Sequence, residues 1–232
     1  MSTKKEQSIQ DTTRSFQEMA DLILLQLNLI EKVMLSTDEN EQSLLLNDIN
    51  RNEEEIDRLE IVISEKFINS IVLYQPLASD LRKLISIYRM TINLERIGDL
   101  VMNISYAFGT ITKTSEYKIM ADVLLNMFQS GRVMVEKSLL SFVNNDQDYA
   151  IWTIKNDSII DEMNNKLLAN SIAKAKIDKK TKDMLLSYID IKNIITNIER
   201  IADHATNIAE ATIYSLQGTD VRHSGLEKEE NL

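Results

Sequence analysis

The stretch Asn197-Ile198-Glu199-Arg200-Ile201-Ala202-Asp203-His204-Ala205-Thr206-Asn207 has an earlier counterpart in Asn93-Leu94-Glu95-Arg96-Ile97-Gly98-Asp99-Leu100-Val101-Met102-Asn103. Two copies of Asn-x-Glu-Arg-Ile-x-Asp-x-x-x-Asn, 104 residues apart, mark an internal duplication. The apolar positions around the first copy, Ile87, Met90, Leu94, Ile97, Val101, Ile104 and Phe108, alternate spacings of three and four, the stripe by which one helix packs on another. Ile191, Ile194, Ile198, Ile201, Ala205, Ile208 and Thr212 repeat that stripe 104 residues later. The duplication therefore covers a packing face as well as a motif.

Reading outward, the periodicity predicts helices over about 7–35 and 39–73, then from Pro76 to about Thr110, where Gly109 would supply the stop. A second set follows over about 115–145, 148–176 and 179–216. Phe16, Met19, Ile23, Ile30 and Val33 mark the first helix, and Leu22, Leu24, Leu25, Leu27 and Leu29 widen its apolar face enough to meet more than one neighbour. Leu45, Ile49, Ile56, Leu59 and Ile63 mark the second, which Asp38 or Thr37 is placed to cap. Met120-Ala121-Asp122 opens the fourth helix much as Met19-Ala20-Asp21 sits in the first.

With only 5 glycines and 1 proline in 232 residues, the chain has little material for a sheet of tight turns and reads as all-α. The organisation expected is two tandem up-down three-helix bundles, residues 1–112 and 113–217, followed by a mobile polar tail over 218–232. A formal charge of −10 argues against a nucleic-acid partner, whose phosphates call for clustered Lys and Arg. Without cysteine, thiolate metal sites, disulfides and Cys nucleophiles are excluded. No signal-like N-terminal segment and no long apolar run is present, so a cytoplasmic location is expected.

Glu95 and Asp99 lie four apart and so share one helix face, on the shoulder of the buried stripe. Glu199 and Asp203 repeat the arrangement. Like charges at this spacing cost an isolated helix roughly 0.2–0.5 kcal/mol. The preceding helix of each half carries a second such pair, Glu53 with Asp57 and Asp157 with Asp161. From Asp57 to Glu95 and from Asp161 to Glu199 the separation is 38 residues in both cases, so antiparallel neighbours would gather four carboxylates in each half. An all-oxygen set is hard and suits Fe, Mn, Mg or Ca, with Zn also accommodated. Asn103 and Asn207, one turn on, are candidates to complete the coordination.

Such acids also serve as solvated or ion-paired groups, and Arg96 or Arg200 could pair with them. An accidental charged face, however, has no reason to keep identity, spacing and register twice. His204 has no first-half equivalent, since Leu100 stands there, and is read as a non-ligand. Arg82, in Asp80-Leu81-Arg82, is expected to pair with an acid of its own bundle, and Trp152 and Tyr149 are assigned to the core or its seam. No phosphate-binding glycine loop, catalytic triad order or Glu-x-x-His ligand pair in the repeated clusters is visible, which makes a non-enzymatic role the reading.

Gln75-Pro76-x-x-x-Asp80-Leu81-Arg82, Glu95-Arg96-Ile97-Gly98-Asp99 and Glu199-Arg200-Ile201-Ala202-Asp203-His204-Ala205-Thr206-Asn207-Ile208-Ala209-Glu210 together resemble the PhoU family, over nearly the whole chain up to Gly218. That resemblance implies iron or zinc clusters on the motif carboxylates, one per repeat, and a homodimer. It implies accessory work in phosphate uptake and negative control of the phosphate regulon. The control would run through a phosphate-sensing histidine kinase and the ATPase subunit of an ABC phosphate transporter, so that the protein meets the membrane only through its partners. Leu100-Val101-Met102-Asn103 departs from the His-Ala-Thr-Asn of the second copy, which leaves room for an accessory protein of a low-affinity phosphate transporter. A helical scaffold without metal is the remaining alternative.

Overall fold

Six helices and their short connections make up the computed structural model, which describes residues 3–111, 115–174 and 181–222. Side chains of 109–110, 115–116, 161, 163–174 and 181–187 lie outside that description. The helices are α1 (Lys4–Leu35), α2 (Glu39–Tyr74), α3 (Ser79–Ile111), α4 (Ser115–Asn144), α5 (Gln147–Lys174) and α6 (Thr181–Gln217). Among the described residues there is no strand, and no helix is long and apolar enough to cross a membrane. The fold is all-α, as the periodicity and the scarcity of glycine and proline require.

Local chemistry sets the boundaries. Thr3 caps α1 through a reciprocal pair: its Oγ1 accepts from the Glu6 amide at 3.2 Å, and Glu6 Oε2 accepts from the Thr3 amide at 2.8 Å. At the far end, Gln42 Nε2 donates to Ser36 O at 2.7 Å, satisfying a carbonyl the helix leaves open. Asp38, rather than Thr37, caps α2 by accepting from the Asn40 amide at 2.9 Å. α3 begins three residues after the expected Pro76. Proline drives the residue before it out of the right-handed helical region. Gln75 accordingly turns left-handed at φ 45°, Ala78 follows at φ 48°, and only then does the Ala78 carbonyl accept from the Arg82 amide at 3.0 Å. At its other end α3 runs through Gly109 to Ile111, so glycine does not stop it.

Within each half the three helices pack on one another, α1 with α2 and α3, and α4 with α5 and α6. The halves also meet, and α3 against α6 is the most extensive helix contact of the molecule, with α1 against α4 beside it. One continuous core results, drawing on Phe16, Ile56, Ile97, Phe128, Ile160 and Ile201 from six different helices. The two repeated stripes form its centre: each of their 14 residues is no more than 2% exposed. That burial explains the 104-residue register, because the two faces that match in sequence are the faces that meet in space.

The C-terminal residues 218–222 lie over this seam. Val221 packs on a small cluster of Ala150, Ile154, Ala209 and Ile213, and Asp220 approaches Arg89 of α3 at 3.8 Å. Gly218, at φ 76°, takes the left-handed turn after α6 and leaves room for the Arg82 side chain, which would meet a Cβ there at 3.3 Å. Arg82 therefore lies at the C-terminal end of α6, where a cation is favoured. No acid is paired with it among the described residues, and Asp80 pairs instead with Lys5 at 2.6 Å. Trp152 is half-buried, with the Lys137 ammonium 4.7 Å from its ring and 4.6 Å from that of Tyr149. Residues 223–232 are outside the description.

Candidate metal centre

The first-repeat acids come from two helices that the short α2–α3 connection sets side by side. Glu53 and Asp57 rise from α2, and Glu95 and Asp99 from α3. Glu53 turns inward beside the core residue Ile56, and its carboxylate lies against the backbone at Gly98. A Cβ at residue 98 would stand 2.9 Å from Glu53 Oε2 and 3.3 Å from Oε1, so glycine there is what lets the carboxylate seat so deeply. From α1, the fully buried Gln26 donates its Nε2 hydrogen to Glu53 Oε2 at 2.8 Å. The Gln26 Oε1 atom is buried without a hydrogen-bond partner.

Burial raises the pKa of Glu53 from 4.5 to about 7, against the opposing hydrogen bond from Gln26, with the charges of Asp57, Asp99 and Glu95 adding to the rise. Glu95 is pushed up as well, by burial first and then by Asp99; Glu60 and a hydrogen bond with Asp99 add to this, while Arg96 opposes it. The charges of Asp57, Asp99 and Glu95 thus bear on Glu53, and that of Asp99 on Glu95. Arg96 partly compensates, with Nε 3.5 Å from Glu95 Oε2 and Nη1 3.2 Å from Asp99 Oδ2. Its side chain is 58% exposed, so solvent screens these ion pairs.

In the second repeat Asp157 stands half-buried on α5, with Glu199 half-buried and Asp203 exposed on α6. The Asp161 side chain lies outside the described residues. Among the described residues, no three carboxylate or imidazole groups stand close enough to close round an ion. In the first repeat the structure does set Glu53 within electrostatic reach of Asp57, Glu95 and Asp99. His204 faces away from them: its Nδ1 lies 2.8 Å from Asn93 Oδ1, tying α6 to α3. Burial lowers its pKa, and Arg96 and Arg200 lower it further, which suits a structural cross-link. Asn103 is exposed, and Asn207 borders a groove shared with Arg89, Asn93 and Asp220.

Gln26 and Gly98 were not singled out by the repeat. The signal for the first was a polar residue set three after Ile23 and four before Ile30, within an apolar stripe. The signal for the second was a paired change of size between the repeats, Glu53 with Gly98 in one and Asp157 with Ala202 in the other. The longer acid faces the residue without a Cβ.

The raised Glu53 pKa gives a testable pH dependence for metal-free protein. The folded state holds the Glu53 proton more tightly than the unfolded chain, so stability falls as pH rises from about 4.5 to about 7. Glu53→Gln will flatten that part of the stability curve by about 1 kcal/mol after allowance for solvent screening. Urea titrations of chelator-treated protein at pH 4.5, 6 and 7.5 measure it, and parallel curves for variant and wild type would refute it.

The PhoU domain model matches the chain twice, over residues 16–107 and 124–212. The chain is similar to a Burkholderia protein named phosphate-specific transport system accessory protein PhoU homolog, at 35% identity over 75% of this chain and 73% of that one. A Pseudomonas putida protein of the same name is 31% identical over 90% of this chain and 79% of that one. Among solved structures, that of PhoU from Pseudomonas aeruginosa superposes with a TM-score of 0.81 at 25% identity, covering 91% of this chain and 98% of the other. The phosphate transport system regulatory protein PhoU from Streptococcus pneumoniae shares the fold, with a TM-score of 0.71 at 22% identity over 94% and 99% of the two chains.

Proposed function

The chain belongs to the PhoU family, and from that premise we propose that it is a non-enzymatic accessory protein of phosphate uptake and a negative regulator of the phosphate regulon. The observation that carries this reading is the double match of the domain model, in register with the two copies of the acidic motif. Relatives matching most of the chain bear the name of phosphate-transport accessory proteins. In this reading the protein is cytoplasmic and a homodimer, docking on a phosphate-sensing histidine kinase and on the ATPase subunit of a phosphate transporter. An exposed apolar face on α2, with Ile61, Ile68 and Val72 each at least 56% exposed, fits a protein whose work is contact with other proteins.

Glu53, Asp57, Glu95 and Asp99 in the first repeat, and Asp157, Asp161, Glu199 and Asp203 in the second, would hold the metal, iron or zinc by the family's habit. A bound cation would neutralise the carboxylates and cross-link the second and third helix of a repeat. What supports this reading in the first repeat is donor chemistry: the acids are all oxygen donors, and Glu53 and Glu95 are held above their ordinary pKa by burial and by neighbouring carboxylates. The residues' own part is to stay oriented on rigid helices while Arg96 gives way.

Deleting the gene and measuring alkaline phosphatase at high phosphate tests the regulatory reading. Several-fold higher expression, reversed by the intact gene, is expected; unchanged expression would set it aside. In that case phosphate uptake at high external phosphate examines the low-affinity alternative, to which the Leu100-Val101-Met102 departure points. Leu100 is only 6% exposed, so its difference from His204 bears on packing between the repeats rather than on the acids.

A further inference from the structure

The two acidic sites are not copies of each other. Counted from the starts of the two matched segments, Phe16 and Leu124, the residue matching Gln26 is Met134, 1% exposed and without an oxygen to offer a carboxylate; it borders Asn156 and Ile160, the counterparts of Asn52 and Ile56 beside Glu53. Gly98 is matched by Ala202, and Glu60, whose charge reaches Glu95, is matched by Asn164. Gln26 adds an oxygen donor, Glu60 adds negative charge, and Gly98 leaves the space in which Glu53 sits.

Gln26 is the informative one. It is completely buried between Ile23 and Ile30, where methionine serves in the other repeat. Its Nε2 hydrogen fixes Glu53, whereas its Oε1 is buried with nothing to accept from. A buried carbonyl oxygen without a partner is destabilising, and an apolar residue of the same size would avoid the penalty. The orphan atom is 1 of 6 such atoms among the described residues, and its own side chain touches the acid at the centre of the cluster. A cation among the carboxylates would give that oxygen its partner.

We propose that Gln26 is the positioning residue of the first-repeat metal site, clamping Glu53 and offering its free amide oxygen to the cation. It makes the two sites unequal, the first binding its cation more tightly. This rests on the reading of the repeated acids as metal ligands.

The test uses the full chain, stripped with chelator and titrated calorimetrically with Mn²⁺, and with Zn²⁺ in parallel. Glu199→Ala/Asp203→Ala isolates the first site, and Glu95→Ala/Asp99→Ala isolates the second. The first site should be the tighter of the two. Gln26→Met, which copies the other repeat at nearly constant volume, should weaken the first site about 10–100-fold, the usual cost of losing a group that orients a ligand. It should leave the second site's affinity unmoved and should not lower the melting temperature of stripped protein. Gly98→Ala, whose Cβ would displace Glu53, should weaken the first site in the same direction.

Equal affinities in the two isolated sites, or an unchanged first site in Gln26→Met, would overturn the proposal while leaving the metal reading standing. A loss shared equally by both sites would mean a general packing role and would overturn it too. If stripped wild type binds neither ion, the metal reading fails and the proposal fails with it.

Discussion

Purified without chelator, a chain carrying Glu95→Ala and Asp99→Ala will hold about half the metal of the wild type, and a chain lacking Glu199 and Asp203 as well will hold almost none. The effect is large because each pair supplies both α3 or α6 donors of its site, leaving only the acids of the neighbouring helix. The same substitutions should not weaken the metal-free fold. Removing Glu95 and Asp99 takes away two charges that push Glu53 toward its raised pKa, and it also removes a like-charge pair one helical turn apart. Stripped variant should therefore melt at or above the wild-type temperature. The difference appears when metal is returned: binding at 100 times the dissociation constant stabilises a site by about 2.7 kcal/mol, and the variant should show that gain at one site fewer. Elemental analysis with melting curves, each with and without metal, reads both effects. Metal content unchanged in both variants would remove the acids from the site.

Much of this was legible from periodicity. The stripes from Ile87 to Phe108 and from Ile191 to Thr212 repeat, and a face that is apolar at every third and fourth residue has to be buried. All of their side chains are. The acids were legible by identity and register, because duplication preserves both. Less visible was what the two stripes pack against. Residues 1–112 and 113–217 read as a bundle each, yet periodicity assigns a face without naming its partner, and α3 finds its largest contact on α6 of the other repeat. His204 illustrates the same gap, since only the fold shows that it reaches Asn93, 111 positions away in the chain. α3 starts later than proline's frequency at helix starts suggests, because the chain first turns through left-handed Gln75 and Ala78. Gln26 stayed hidden because a single polar residue on an apolar face is a weak signal until the acid it touches is known.

Phe16→Ala will cost about 3–5 kcal/mol of folding stability, a large share of the 5–15 kcal/mol typical of a folded protein. Phe16 is fully buried on α1, and its ring meets that of Phe142 on α4 edge-on, with centroids 5.4 Å apart. The substitution deletes a large apolar side chain in a place where long, packed helices cannot collapse to fill the cavity. For a chain of this size each kcal/mol lowers the melting temperature by about 2–4 °C, so a fall of roughly 10 °C is expected. Because the contact spans the two repeats, it also reports on how they are joined. A double-mutant cycle with Phe142→Ala should give a coupling of about 0.5–1.5 kcal/mol, the usual worth of an aromatic pair. With one shared core, wild type and both single variants should unfold in one urea transition with unchanged slope. Were the repeats independent, Phe16→Ala would instead split the transition in two, leaving the half that contains Phe142 to unfold where it did before.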